Sequence, residues 1–135
     1  MDETTAKKHH EKRQPYTAVI SEDGRPTYLV NVTNKWVSVS FLDELLRKYL
    51  HYDFIVKDDS KIFLRTILYW EYEDETENEA KSMIFGYHEN GHIAMEQRNS
   101  KTGEIEERET EDDLSRNWDS FPKFGDYLYL CKEER

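Results

Sequence analysis

Histidines are the residues of this chain whose type and spacing first suggest chemistry. His88 and His92 flank the Asn90-Gly91 turn, so a hairpin would bring their rings together, and His9-His10 forms an adjacent pair near the N-terminus. Two ligands do not complete a zinc site, which needs three or four. We therefore expect no metal site and no cofactor in this protein.

Catalysis by a nucleophile or a general acid has little support in the sequence. Cys131 ends the apolar run Tyr127–Cys131, where a thiol behaves as a small buried hydrophobe rather than a nucleophile. The phosphate-binding glycine loop, the Gly-x-Ser-x-Gly elbow and the His-Glu-x-x-His motif are all missing. Carboxylates are abundant, but they lie in polar segments that would not raise a pKa as a general acid requires. We expect a protein that is not an enzyme.

Two runs of acidic residues indicate a binding surface instead. Residues 71–79 contain no Lys or Arg, and residues 104–113 contain only Arg108. Like charges placed on neighbouring strands reduce stability, and a cationic partner would offset that repulsion. Aromatic side chains beside the acids would supply the anchoring contacts that interfaces favour. The predicted partner-binding residues are Trp70, Glu71, Tyr72, Glu73, Asp74, Glu75, Glu77, Tyr87, Glu104, Glu106, Glu107, Glu109, Asp112 and Asp113.

The overall charge restricts the partner and the compartment. The formal net charge is −10, and residues 51–135 carry eleven basic against twenty-two acidic residues. Such a surface repels nucleic acid and anionic membranes and attracts basic proteins. A single cysteine fits a reducing compartment, and residues 1–14 lack the apolar segment of a secretory signal. We expect a cytoplasmic protein with a basic protein partner; the oligomeric state stays open.

Helix and strand patterns in the sequence predict an α+β fold that would position these residues. A disordered tail over residues 1–14 and a single domain over residues 15–135 suit the length and composition. A capping residue is followed by apolar side chains with helical spacing, which predicts one amphipathic helix near residues 41–50: Leu42, Leu45, Leu46, Tyr49 and Leu50.

Strand patterns dominate the rest of the chain and predict a mostly antiparallel β-meander, either open or curved into a half-barrel. Short strands are predicted before the helix, at residues 16–20, 27–33 and 36–39. The predicted meander strands cover residues 61–72, 81–88, 92–99 and 104–110, followed by a final strand over residues 127–132. In the long strand 61–72, period two predicts that Ile62, Leu64, Thr66, Leu68, Trp70 and Tyr72 share one face.

The C-terminal half also resembles a known class of protein. The hairpin Met83–Ile93 leads into Thr102-Gly103-Glu104 and is followed by Trp118 and the segment Phe121–Tyr127. Over about residues 81–130 this arrangement resembles small immunity proteins of bacterial polymorphic-toxin and contact-dependent inhibition systems. The resemblance implies an acidic cytosolic protein that neutralises a cognate toxin domain, often a nuclease, by stoichiometric binding. It implies no particular site residues.

Two other classes of function remain open from the sequence. Aromatic-rich strands could wrap a small apolar ligand in a β-barrel or half-barrel, which a deep aromatic-lined cavity would favour. An enzyme could use His51 or His88 with a carboxylate, which a pocket with a strongly shifted pKa would favour.

Overall fold

A computed structural model describes residues 3–12, 14–58, 60–76 and 78–133. Within these residues the chain forms one α-helix and nine strands of a single antiparallel sheet, which confirms the predicted α+β meander. The elements are α1 (Glu3–Glu11), β1 (Tyr16–Glu22), β2 (Arg25–Val32), β3 (Trp36–Leu42), β4 (Lys48–Asp58), β5 (Lys61–Tyr72), β6 (Glu79–Tyr87), β7 (His92–Asn99), β8 (Ile105–Glu111) and β9 (Trp118–Ser120).

Strands β1 to β8 pair in chain order, each antiparallel to the one before it. The sheet is not closed into a barrel, so β1 and β8 are its two edges. Strand β9 pairs with residues 61–63 of β5, and β6 pairs with β5 from Thr66 onwards. The first hairpin turns at Asp23-Gly24, whose φ angles of 53° and 78° are those of the tight turns that match strand twist.

The core lies on one face of the sheet, which we call the inner face. Val30, Val39 and Tyr52 are directly paired neighbours on it and are almost completely buried. The C-terminal segment 121–131 covers this face, with Leu130 buried in the same cluster. The hydroxyl oxygens of Tyr16 and Tyr127 lie 2.9 Å apart, which links β1 to that covering segment.

The amphipathic helix predicted near residues 41–50 is wrong. Strand β3 extends through Leu42, β4 begins at Lys48, and residues 43–47 form the turn between them. Leu45 and Leu46, which the helix would have buried, are 48% and 54% exposed, whereas Leu50 is buried.

Hydrogen bonds within the turn at residues 43–47 explain why a sequence with helical spacing forms a hairpin. One carboxylate oxygen of Asp43 accepts hydrogen bonds from the N–H groups of Leu45 and Arg47, and Leu46 has a left-handed φ of 62°. Partial burial raises the pKa of Asp43, but the hydrogen bonds from Arg47 and Leu45 outweigh it and hold that pKa below its ordinary value. Asp43 and Arg47 also form an ion pair at 2.8 Å, across the turn instead of along a helix.

The N-terminal segment also differs from its prediction. Residues 1–14 were expected to be disordered, yet Glu3–Glu11 form α1. Ala6 is its buried residue, and His10 Nδ1 lies 2.7 Å from the Tyr16 hydroxyl. The His10 ring also lies against Phe124, at a centroid distance of 5.9 Å. Because Ala6 is small and His10 is polar, these contacts leave no apolar periodicity to detect in the sequence.

A bulge in β5 changes which side chains share a face. The register shifts so that Tyr52 pairs with Ile67 and Phe54 with Leu64, leaving Arg65 as the additional residue. Leu64 and Ile67 therefore both lie on the inner face. The predicted single face from Ile62 to Tyr72 is wrong, because the alternation reverses at Arg65.

The C-terminal segment is a turn where a strand was predicted. Residues 128–130 form a 3₁₀ turn that directs Leu130 into the core and leaves Leu128 63% exposed. A strand over residues 127–132 would instead have alternated Tyr127, Tyr129 and Cys131 with Leu128 and Leu130 on opposite faces.

We expect Leu130→Ala to lower the free energy of unfolding by about 2–5 kcal/mol, because it opens a cavity in a packed core. Leu128→Ala is the matched control and should change it by less than about 0.5 kcal/mol. Urea denaturation of both variants measures the difference, and equal losses would show that the C-terminal segment does not close the core.

Candidate functional site

The opposite face of the sheet, which we call the outer face, carries three rows of side chains across β5–β8. Directly paired residues of an antiparallel sheet point to the same side, so the register defines each row. The first row is Thr66, Gly86, Ala94 and Glu109, the second is Leu68, Ile84, Glu96 and Glu107, and the third is Trp70, Ser82, Arg98 and Ile105.

The first two rows form an open groove with a low floor and an acidic rim. Its lining includes Gly86, Ala94, Glu96, Glu107 and Glu109. Because Gly86 has no side chain and Ala94 has a single carbon, the neighbouring carboxylates stand above them. This shape fits a cationic side chain or an extended backbone lying across the sheet.

Apolar side chains adjoin the carboxylates on the same face. Ile84 is 38% exposed and Ile105 is 52% exposed, while Leu68 and Trp70 are partly buried. A patch of exposed apolar and aromatic groups beside polar ones has the composition of a protein interface.

The alternation of β8 separates its charges between the two faces. The outer face receives Glu107, Glu109 and Glu111, while the inner face receives Glu106 and Arg108. Arg108 Nη2 lies 3.9 Å from Glu106 Oε2, so the single basic residue of this run is paired on the inner side. The predicted acidic cluster is therefore uncompensated mainly on the outer face.

The outer carboxylates have few cationic neighbours within the described part of the chain. Glu107 lies directly opposite Glu96, a like-charge pair that disfavours the isolated sheet. Glu96 Oε1 is 3.2 Å from Arg98 Nε, and Glu109 Oε1 is 3.8 Å from His92 Nε2. No ion pair with Lys or Arg reaches Glu107 among these described residues.

The first predicted acidic run is placed elsewhere and is better compensated. Glu71 lies opposite Lys81, and Glu73 Oε1 is 3.7 Å from Lys101 Nζ. The carbonyl oxygen of Asp74 accepts a 3.0 Å hydrogen bond from the Arg47 guanidinium. Residues 73–76 of this run are turn residues between β5 and β6, held by basic residues at one end of the sheet; Glu75 is exposed and Glu77 lies outside the described residues.

The predicted aromatic anchors separate in the same way. Trp70 lies on the outer face beside Ile105 and Arg98. Tyr72 lies under the Arg47 guanidinium at 4.5 Å, and its hydroxyl donates to the Lys48 carbonyl, so it has a structural role. Tyr87 lies on the inner side, where burial raises the pKa of its hydroxyl.

The residues at the two ends of the second acidic run, residues 104–113, form backbone and side-chain hydrogen bonds in turns and connections. Glu104 closes the β7–β8 hairpin, accepting a 2.9 Å hydrogen bond from the Asn99 N–H. Asp112 donates its N–H to the Gly91 carbonyl, and Asp113 accepts from the N–H of Ser115. A Cβ atom at Gly91 would lie 2.8 Å from the Asp112 carbonyl oxygen, so only glycine fits there.

Several outer-face residues were missed by the sequence analysis. Ile84, Gly86, Ala94, Glu96 and Ile105 join Trp70, Glu107 and Glu109 only through the pairing of β6, β7 and β8. The alternation of the predicted β7 sequence, Ala94-Met95-Glu96-Gln97, was the available signal. Aligning it against β6 and β8 would have shown Glu96 opposite Glu107.

A Ser-His-Asp arrangement occurs on the outer face of β3 and β4. Ser40 Oγ lies 2.7 Å from His51 Nδ1, and His51 Nε2 lies 2.9 Å from Asp53 Oδ1. Ser40 is fully buried, so a substrate carbonyl could not reach its oxygen without rearrangement. We interpret these contacts as hydrogen bonds that satisfy polar groups within the sheet.

The histidine pairs have structural partners as well. The rings of His88 and His92 lie 5.7 Å apart, which confirms that the turn brings them together. In the ranges that the structure describes, no group of three or more His, Cys, Asp or Glu could hold a metal ion. Among the same residues, no helix has the length and apolar character needed to cross a membrane.

The centre of the inner face is filled by side chains. Phe41, Tyr52 and Phe54 are each about 1% exposed, and Leu130 is completely buried among them. Phe41 and Tyr52 pack against each other there, with ring centroids 5.2 Å apart. Beside β1, Tyr16, Trp36, Phe124 and Tyr127 line an open cavity of about 900 Å³.

Comparison with known proteins identifies no relative. No family model matches the sequence, and neither the curated proteins nor the solved structures give a match.

Cys131 provides a test of the prediction that its thiol is not a nucleophile. Burial, together with the charge of Glu22, raises the pKa of Cys131 from 9.0 to about 11. The thiolate is the reactive form, so at pH 8 native protein should react with iodoacetamide about a hundredfold more slowly than urea-unfolded protein. The native rate should rise until pH approaches 11. A native rate equal to the unfolded rate at pH 8 would contradict this.

Proposed function

We propose that this chain is a binding protein whose partner is a basic protein domain that docks on the outer face of β5–β8. The observation that carries the proposal is the one-sided charge of β8: Glu107, Glu109 and Glu111 share a face on which Glu96 adds another carboxylate. Repulsion among these groups would be relieved when Lys or Arg side chains of a partner reach them.

The exposed apolar residues give the proposal its second component. Charge at the edge of an interface accelerates association, while desolvated apolar and aromatic groups supply most of the binding free energy. Ile84, Ile105 and Trp70 lie beside the acidic groove and can make such contacts. The partner should therefore combine basic side chains with an apolar patch.

The class of partner follows from the resemblance to immunity proteins together with this charge. A nuclease toxin presents basic residues to bind phosphate, and an acidic protein can occupy those residues instead of nucleic acid. We propose stoichiometric neutralisation of such a toxin domain. Co-expression with a toxin domain tests this, and the first to try is any that a neighbouring gene encodes. Cells that make the cognate toxin domain should survive only when this protein is also present, and a gene neighbourhood that encodes no toxin would count against the proposal.

Charge reversal on neighbouring residues of β8 distinguishes the two faces. Glu107→Lys should weaken binding of the basic partner roughly tenfold, because it adds repulsion on the docking face. Glu106→Lys changes the net charge equally but lies on the inner side, and should alter affinity less than about threefold. Surface plasmon resonance measures both, with denaturation as a control for folding. Equal effects would mean that net charge, not the outer face, governs binding.

Ionic strength should act mainly on the association rate. Screening shortens the reach of the acidic face to about 8 Å at physiological salt, so steering weakens as salt increases. Between about 0.05 and 0.5 M NaCl, the association rate constant should fall at least tenfold while the dissociation rate constant changes much less. Stopped-flow mixing measures both constants. A salt-independent association rate would count against an electrostatic docking surface.

A further inference from the structure

Strand β8 is an uncovered edge of the sheet. All seven of its residues are exposed, and β7 is its pairing partner in the described structure. At the other edge, α1 contacts β1 and its His10 lies against Tyr16. An edge strand without a cover presents unpaired backbone N–H and C=O groups to solvent.

The hydrogen-bond pattern identifies which backbone groups point outward. The Asn99 N–H donates to Glu104 at one end of the hairpin, and the Asp112 N–H donates to Gly91 at the other. In an antiparallel pair, hydrogen-bonded and non-hydrogen-bonded positions alternate between these fixed points. The even-numbered residues of β8 therefore bond to β7, and the outward-pointing backbone belongs to Ile105, Glu107, Glu109 and Glu111.

The same four residues also place their side chains on the outer face. An added strand that bonds to their backbone would therefore have its own side chains directly opposite three carboxylates and one isoleucine. Lys or Arg at alternate positions would complement Glu107, Glu109 and Glu111, with an apolar residue opposite Ile105. Pairing with the β8 of a second copy would set carboxylates against carboxylates, which disfavours that occupant.

We propose that β8 accepts an extended segment of the basic partner by antiparallel strand addition, with Lys or Arg of that segment facing Glu107, Glu109 and Glu111. This deepens the proposed function and rests on it, since it specifies how the same partner is held. Backbone hydrogen bonds would position the added strand, and the alternating charges would select its sequence and register.

A synthetic peptide in which Lys alternates with Val and Thr is the probe. In antiparallel addition the backbone N–H groups of the Lys residues point toward β8 and bond to its outward-pointing carbonyl groups. N-methylation of two Lys residues removes two of these hydrogen bonds and should weaken binding to the full chain roughly tenfold or more. N-methylation of two Val residues is the matched control and should have an effect of less than about threefold, because those N–H groups point away from β8. A scrambled peptide of equal composition should also bind more weakly.

Amide hydrogen exchange supplies the independent readout. Bound peptide should slow exchange at Ile105, Glu107 and Glu109, while Glu106 and Arg108, already bonded to β7, should change little. Failure of the alternating peptide to bind, or binding that is insensitive to Lys N-methylation with no new protection, would overturn strand addition. If the protein partner still responded to Glu107→Lys in that case, the docking face would stand and only this mode of binding would be wrong.

Discussion

Burial of the inner face of β1–β5 is the interaction on which the whole sheet depends. Aromatic and branched side chains from these strands pack under the C-terminal segment, and Tyr52 donates a 2.5 Å hydrogen bond to the Lys132 carbonyl at its end. None of the described residues of β6–β8 is fully buried. These three strands therefore depend on the ladder that joins them to β5, since isolated hairpins are only marginally stable in water.

Strand β5 connects the packed strands β1–β4 to the exposed strands β6–β8, because its two ends make different contacts. Its first residues, including Ile62 and Leu64, belong to the core, and its later residues pair with β6. The bulge at Arg65 lies between these regions and brings Thr66, Leu68 and Trp70 to the outer face. Because β6–β8 have no fully buried face, their side chains are less constrained by packing and can carry the dense charge that a core would reject.

Much of the fold was predictable from local patterns, because turn residues and alternation are local. The predicted bounds of β5 and β7 are confirmed, and both of the hairpins formed by β6–β8 were expected. The helix near residues 41–50 failed because Leu42 and Leu50 satisfy a helical stripe and a pair of strands equally well. Only the pairing of Val39 with Tyr52, a tertiary contact, decides between them.

The candidate surface was predicted in part for a similar reason. The acidic residues of β8 are visible in the sequence, but the face that they occupy depends on the strand register. A shift of one residue would move every side chain of the strand to the opposite face. Glu96 and Ile84 enter the surface only through cross-strand pairing, and Tyr87 leaves it because its alternation places it on the inner side. Compensation of Glu73 by Lys101 likewise depends on a contact between two distant loops.

The docking of α1 and segment 121–131 has a practical consequence for handling the protein. Both segments pack on the β1–β5 half, where His10 lies against Phe124 and Tyr16 against Tyr127. The β8 edge is at the opposite margin of the sheet. A molecule immobilised on a sensor chip or bead through either segment would present that margin to the surrounding solution.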